Sequence, residues 1–265
     1  MFISDTTYYK LLEVEGLDSP FFKDCGPTFI GGLLVFPYMK KTITPDKTSR
    51  GKAELSKTDA LSIEWDKLTL KQGNYPLLVE ISMELMTLSD DMFGSYIIKL
   101  LKAQLDLIIG DEILYGSGIN NRIEGVCLGA KTGTYTDIHK AIQIAFLELD
   151  RLARKGAKLY ISRSLALSIT FEKDTTGQFI YPIYNSGGIK SIAQVPVEVD
   201  EGLVDDSFLF GNATNYLINF TKTTQLLGDI DIKHRTLIYA VHIMLAGKAI
   251  PNSFYYGTKA TVPIG

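Results

Sequence analysis

The stretch from Leu77 to Val126 limits what this chain can fold into more than any other. Ser89 offers a helix N-cap, and Asp90 and Asp91 place negative charge on the first turn, where free amides and the helix dipole favour it. Phe93, Ile97, Leu100, Leu101, Leu105 and Ile108 then recur at three- and four-residue steps, which is one apolar face of a helix. Proline is absent until well past Gly116 and Gly118, which serve as stop residues. The pattern predicts a helix over 89–115, a rod of about 40 Å at ~1.5 Å per residue. Gly94 and Gly110 lie inside it and each costs about 1 kcal/mol against alanine, so the rod must be stabilised by what it packs on. Ahead of it, Leu77, Leu78, Val79 and Ile81 read as a strand.

With 265 residues the chain is long enough for one large domain or two small ones. A net charge of −3 gives no bulk attraction to nucleic acid or to anionic membranes. MFISDTTYYK has no basic end followed by an apolar core, so no signal peptide is expected there, and no stretch is apolar for long enough to predict a transmembrane helix. Two cysteines, Cys25 and Cys127, suit a reducing compartment, with a disulfide between them the less favoured pairing.

Residues 1–32 lack sustained periodicity and read as an N-terminal arm that packs on something else; an ordinary edge segment on the same subunit stays open. Residues 33–72 hold LLVFPYMKKTIT and LSIEWDKLTL, two alternating runs joined by a charged, turn-rich connector, which predicts a long two-stranded hairpin. Such a hairpin is marginal alone in water. Between Lys40 and Lys57 lie six basic and two acidic residues, a local +4 that leaves −7 for the rest of a −3 chain. Ile138–Gly156 reads as one amphipathic helix, Leu159–Ser162 as a short strand turning into a helix near Arg163, and Thr176-Gly177 as a turn. Pro196, Gly202 and Gly211 separate two or three further strands, and TLIYAVHIMLAGKAI supplies a late apolar run.

No catalytic constellation stands out. G-x-S-x-G, the phosphate-binding loop and the dinucleotide fingerprint are missing, and Gly116-Ser117-Gly118 is too short to cradle a nucleotide. His139, His234 and His242 are scattered, and neither cysteine has a metal-ligand partner at standard spacing. Asp200, Glu201, Asp205 and Asp206 form the one dense acidic cluster; a solvated loop is the expectation over a calcium site, so no metal and no cofactor is assigned.

The order of these pieces resembles the major capsid proteins of tailed bacteriophages, of the Hong Kong ninety-seven fold. The resemblance rests on Ser82, Glu84 and Leu85 leading into the helix, and on Asp111, Gly116, Gly118, Gly125 and Val126 leaving it. It continues through Tyr160–Ser162, Lys173, Asp174, Gly177, Phe179, Ile180, Pro196–Val199 and Phe210–Asn212. It implies an α+β capsid fold: N-terminal arm 1–32, extended β-hairpin loop 33–72, peripheral domain 73–126 with its spine helix 89–115 over a β-sheet, axial domain 127–222, and closing peripheral strands 223–265. Some family members carry a built-in helical scaffold ahead of this region; this sequence shows none, so either a separate scaffolding protein is an expected partner or that region is not part of this sequence.

The resemblance further implies a non-enzymatic subunit that assembles in the host cytoplasm into pentamers and hexamers of an icosahedral virion capsid. The other expected partners are a portal protein and packaged double-stranded DNA, held by non-specific contact; no membrane is involved. Lys40, Lys41, Lys47, Arg50 and Lys52 at the hairpin tip are candidate contacts to a neighbouring subunit. Asp200, Glu201, Asp205 and Asp206, with the turn-rich loops in 185–207, are candidates near the capsomer axis. Two alternatives stay open. A nanocompartment shell protein of the encapsulin type would share the fold, though the phage-like run Ser82–Val126 and the arm at 1–32 disfavour it. A two-domain soluble enzyme with an unrecognised site is the other, and it would elute as a small oligomer.

Overall fold

The computed structural model describes residues 19–32, 34–39, 65–82, 90–149, 151–180 and 189–260. In chain order these hold a short helix Pro20–Cys25, β1 (Val35–Met39), β2 (Trp65–Thr69), β3 (Lys71–Ser82) and the spine helix Asp90–Tyr115. Helix Val126–Gly129, β4 (Lys131–Tyr135), helix Ile138–Glu148, helix Arg151–Arg154, β5 (Lys158–Ile161) and helix Arg163–Thr170 follow. Then come β6 (Ser191–Ile192), β7 (Val195–Val199), β8 (Ser207–Gly211), β9 (Tyr216–Asp231), β10 (Thr236–Ala249) and β11 (Phe254–Lys259).

The spine helix begins one residue inside the expected 89–115, because an acidic first turn and a glycine exit are local signals. It lies over a three-stranded antiparallel sheet of order β3-β10-β9. Leu237, Tyr239, Val241, Ile243 and Leu245 alternate along β10 and point at the helix, as a half-buried strand requires. The helix answers with Leu101, Leu105, Ile109 and Ile113. Leu101 and Leu105 of the expected stripe hold, and only its last position shifts: Ile108 is half-buried and Ile109 takes the core position. Three and four residues are equally good steps along a 3.6-residue helix, and the sheet decides between them. The side chain of Ile97 lies outside the described set.

The second sheet has six strands in the order β4-β11-β8-β5-β7-β6 and is sandwiched between two cores. Leu159, Ile161, Phe208, Phe210, Val195 and Val197 face helices Ile138–Glu148 and Arg163–Thr170. Their sequence neighbours Tyr160 and Leu209, with Phe254 on β11, face the core shared with the spine helix. Strand alternation thus divides one sheet between two environments.

Several expectations change here. The helix expected over 138–156 breaks at Leu149, whose backbone is extended, and resumes as Arg151–Arg154. Lys131 Nζ donates to the Glu148 carbonyl at 2.7 Å, satisfying an acceptor that the break leaves open. Gly156 closes the segment at φ +74°, a conformation costly for residues with a Cβ. The last residues do not all return to the sheet beneath the spine helix. β10 does, but β11 joins the six-stranded sheet, antiparallel to β8 and parallel to β4. Its alternating aromatic residues explain this, since Phe254 and Tyr255 fill opposite cores. The boundary expected at 222 falls inside β9.

The arm also divides. Residues 1–18 lie outside the described residues, while Phe21, Phe22 and Cys25 are buried in the chain's own core. Ser19 caps the short helix and Pro20 opens it, so this segment folds by local rules onto its own subunit.

Candidate functional site

The basic tip proposed for intersubunit contact, Lys40, Lys41, Lys47, Arg50 and Lys52, lies outside the described residues. Its base is described. β1 and β2 pair antiparallel from Val35↔Thr69 to Met39↔Trp65, the expected hairpin. One face of this ribbon is anchored: Leu68 and Leu70 are buried with Ala246, and Leu34, Phe36 and Tyr38 pack against them. The opposite face leaves Val35 and Trp65 in solvent, Trp65 at 64 % exposure. Just ahead in the chain, Phe29 stacks on Phe220 with ring centroids 5.0 Å apart, yet remains 63 % exposed, and Ile30 is exposed as well. Large apolar side chains left uncovered around one projection mark an interaction surface.

The four acidic candidates are not equivalent. Asp200 is 1 % exposed, which removes it as a surface contact. Its carboxylate accepts from Ser19 Oγ at 2.7 Å, from the Phe21 amide at 3.3 Å and from the Gly202 amide at 3.0 Å. These bonds explain how a charge tolerates burial there. Glu201 is exposed and pairs with Arg163. Asp206 meets Lys259 Nζ at 3.2 Å, and Asp205 is exposed. Exposed pairs of this kind contribute about 0–1 kcal/mol each. Half of the expected negative surface is thus balanced within the subunit, and a quarter of it is buried. Residues 185–188 lie outside the described residues. Among the described residues no group of three His, Cys, Asp or Glu side chains is placed to hold a metal ion.

A second apolar surface, which the sequence did not single out as one, surrounds the turn carrying Lys173, Asp174, Gly177, Phe179 and Ile180. Asp174 Oδ1 accepts from the Thr176 hydroxyl (2.6 Å) and from the amides of Gln178 (2.9 Å) and Thr176 (2.8 Å), and these bonds, the hydroxyl's foremost, hold its carboxyl below the ordinary range. Gly177 supplies φ +85° at the turn. The turn brings Phe179 to 6.5 Å from Phe171, with Lys173 Nζ 5.0 Å above the Phe179 ring. Leu167, Phe171, Phe179 and Ile180 are all exposed there.

Sequence reasoning stopped at Asp111, which is exposed, and missed its neighbour Glu112, which is buried. Glu112 accepts from the Tyr75 hydroxyl at 2.7 Å and from Arg122 Nε at 2.7 Å, while Tyr75 Oη accepts from the Ile123 amide at 3.0 Å. Burial pushes the Tyr75 hydroxyl well above its ordinary pKa, so it stays a donor. The network folds loop 116–125 back on β3, where the Asn74 amide donates to Asn121 O. A Cβ at Gly116 would overlap the Ile123 carbonyl, and one at Gly125 would overlap the Gly116 amide. The G-x-G…G spacing is therefore the close approach of two backbone segments. An oppositely charged pair ten residues apart across that loop was the available signal.

The sequence matches the model of the phage capsid family over residues 34–256. Comparison with curated sequences yields no match. Among solved structures, a chain from Gordonia phage Cozz is similar at 14 % identity and a TM-score of 0.70, covering 92 % of this chain and 87 % of its own. A chain from the capsid of a native GTA particle, computed with C5 symmetry, aligns at 12 % identity and TM-score 0.70, covering 93 % and 91 %. A chain from the satellite phage P4 procapsid, which includes the size determination (Sid) protein, aligns at 11 % identity and TM-score 0.64, covering 98 % and 92 %. The shared fold is the Hong Kong ninety-seven type.

Proposed function

The chain belongs to the phage capsid family as a major capsid structural protein, and we propose that its copies close an icosahedral shell from pentamers and hexamers, around double-stranded DNA. The observation that carries this reading is the exposed apolar surface at the hairpin base and at Phe29 and Ile30, which a lone subunit leaves in water. A neighbouring copy covers it at no cost in new sequence, since a ring repeats one contact between two different patches. The division into an arm, an extended loop, a peripheral domain and an axial domain follows the same reading, with Glu201, Asp205 and Asp206 facing the capsomer axis. Assembly takes place in the host cytoplasm, with portal and scaffolding proteins as partners, and the DNA is contained by non-specific contact. The subunit does this work by burial and carries out no reaction.

The hairpin tip supplies the electrostatic part. Lys40, Lys41, Lys47, Arg50 and Lys52 rest on an acidic surface of the adjacent subunit, an attraction between a +4 segment and a −7 remainder. Changing Lys47, Arg50 and Lys52 together to glutamate moves the local balance from +4 to −2. Electron microscopy of the purified full-length chain tests both levels. Wild-type protein should give closed particles or capsomers; a uniform small oligomer would overturn the shell reading. The triple variant should keep its circular dichroism and fail to close particles; normal particles would remove the tip from the contact while leaving the shell reading intact.

A further inference from the structure

Residues 19–30 lie across the two sheets and bond to both. At the start, Ser19 and the Phe21 amide are held by Asp200 at the end of β7, in the six-stranded sheet. Phe21 is fully buried, its ring 5.1 Å from Tyr160 on β5 and 5.9 Å from Phe254 on β11. Asp24 accepts from the Tyr160 hydroxyl at 2.7 Å and pairs with Lys158 Nζ at 2.7 Å, both on β5. Phe21 and Phe22 also meet β9, with ring centroids 5.9 Å from Tyr216 and 6.5 Å from Phe220, and beyond Gly26 the backbone hydrogen bonds pass to β9 as well. The Thr28 amide donates to Ile218 O at 3.0 Å, the Phe220 amide donates to Thr28 O at 2.8 Å, and Asn219 exchanges two bonds with the Ile30 backbone, each 2.9 Å. All of these β9 partners belong to the three-stranded sheet. The polar bonds at the two ends of one twelve-residue segment thus run to different sheets, through partners about 130–190 residues away in sequence.

We propose that residues 19–30 act as a bolt that sets the orientation of the six-stranded sheet relative to the three-stranded sheet. The inference does not depend on the shell reading. Phe21 and Asp24 fasten one end, and Thr28 with Asn219 fastens the other. Gly31 and Gly32 follow Ile30 as a turn, and at the hairpin base the Leu70 amide donates to Leu34 O at 2.8 Å.

Two readouts separate a bolt from an ordinary piece of core. Cys25 sits on the segment and Cys127 does not, and both thiols are buried and free, with burial pushing their pKa values up. Reactivity of Cys25 toward a thiol reagent thus reports release of the segment, and Cys127 is an internal control. Spin labels at Leu147→Cys and Leu78→Cys, both exposed positions, one on the helix layer and one on β3, report the distance between the sheets; labelled full-length subunits are diluted into unlabelled ones. Phe21→Ala should raise Cys25 reactivity roughly a hundredfold or more, leave Cys127 unreactive, and broaden a narrow distance distribution. Asp24→Asn should do the same more weakly, and it serves if Phe21→Ala does not fold. A reactive Cys25 with an unchanged narrow distance would overturn the proposal. So would Cys127 gaining reactivity in step with Cys25, which would make the segment plain core, or Cys25 staying unreactive in both variants.

Discussion

The two faces of the six-stranded sheet are built by different means. On one face Leu159 and Ile161 pack against helices that flank their own strand in sequence, joined by Phe208 and Phe210 from β8, and the buried cluster is mostly apolar. On the other face Tyr160, Leu209 and Phe254 meet the spine helix, the three-stranded sheet and residues 19–30, elements drawn from the whole length of the chain. Buried Asp200 and Glu112 on that side, with Asn219 on the adjoining β9, are each bonded to a distant segment, while buried Ser162 and Ser207 tie β8 to the cap of helix Arg163–Thr170. Apolar burial is non-directional and suffices where sequence already keeps the partners close. Segments that must find one another across the chain need directional bonds to fix their register, because an unmade buried bond costs about 1–3 kcal/mol.

Substituting one aromatic on each face tests that difference most strongly. Phe210→Ala and Phe254→Ala should each cost about 3–5 kcal/mol in urea unfolding, since both side chains are buried. Hydrogen exchange should then diverge. Phe210 lies 4.6 Å from Phe146, so its loss loosens helix Ile138–Glu148. Phe254 lies 5.9 Å from Phe21, so its loss loosens residues 19–30. Equal loosening of both regions in either variant would mean that the faces form one core.

The spine helix gives the next effect. Leu101→Ala, at a fully buried position on the shared core, should cost about 2–5 kcal/mol, whereas Leu107→Ala, 66 % exposed, should stay within about 0.5 kcal/mol in the unassembled subunit. Similar melting temperatures for the two would misplace the stripe. Glu112→Gln keeps the shape and removes the charge that Arg122 and Tyr75 share; it should cost about 1–3 kcal/mol and raise exchange in loop 116–125 alone. Spread of that effect to helix Arg163–Thr170 would break the separation of the faces.

The smallest effect lies outside both cores, at the β9–β10 turn. The Asp231 carboxylate, 2.7 Å from His234 Nδ1, raises the imidazole pKa above its ordinary 6.5, and His234 in turn holds Asp231 below the usual carboxylate range. A raised histidine pKa contributes stability that is fully present below about pH 6.5 and fades as pH rises through the raised value. Asp231 sets the lower limit, its contribution being lost as pH falls through its depressed value. An NMR titration should show the elevated His234 midpoint in wild type and a normal one in Asp231→Asn; unchanged midpoints would remove the pair.

What the sequence determined by itself were the features governed by near neighbours. The spine helix, the hairpin base and the Ser162-capped turn from β5 into helix Arg163–Thr170 follow from capping residues, periodicity and glycine stops, which act within a few residues. The acidic cluster was legible as composition and misjudged as surface, because nothing local distinguishes Asp200, which receives Ser19, from Asp205, which meets solvent. Tertiary structure alone decided that Asp200 is a buried anchor, that Ile109 and not Ile108 faces the sheet, that the helix at 138–148 stops at Leu149, and that β11 leaves its hairpin neighbour for the other sheet. Each of those outcomes depends on a partner outside the local segment, 17 residues away for the break at Leu149 and much farther for the others. Strand and helix periods leave such choices degenerate, and only packing against that partner separates their energies.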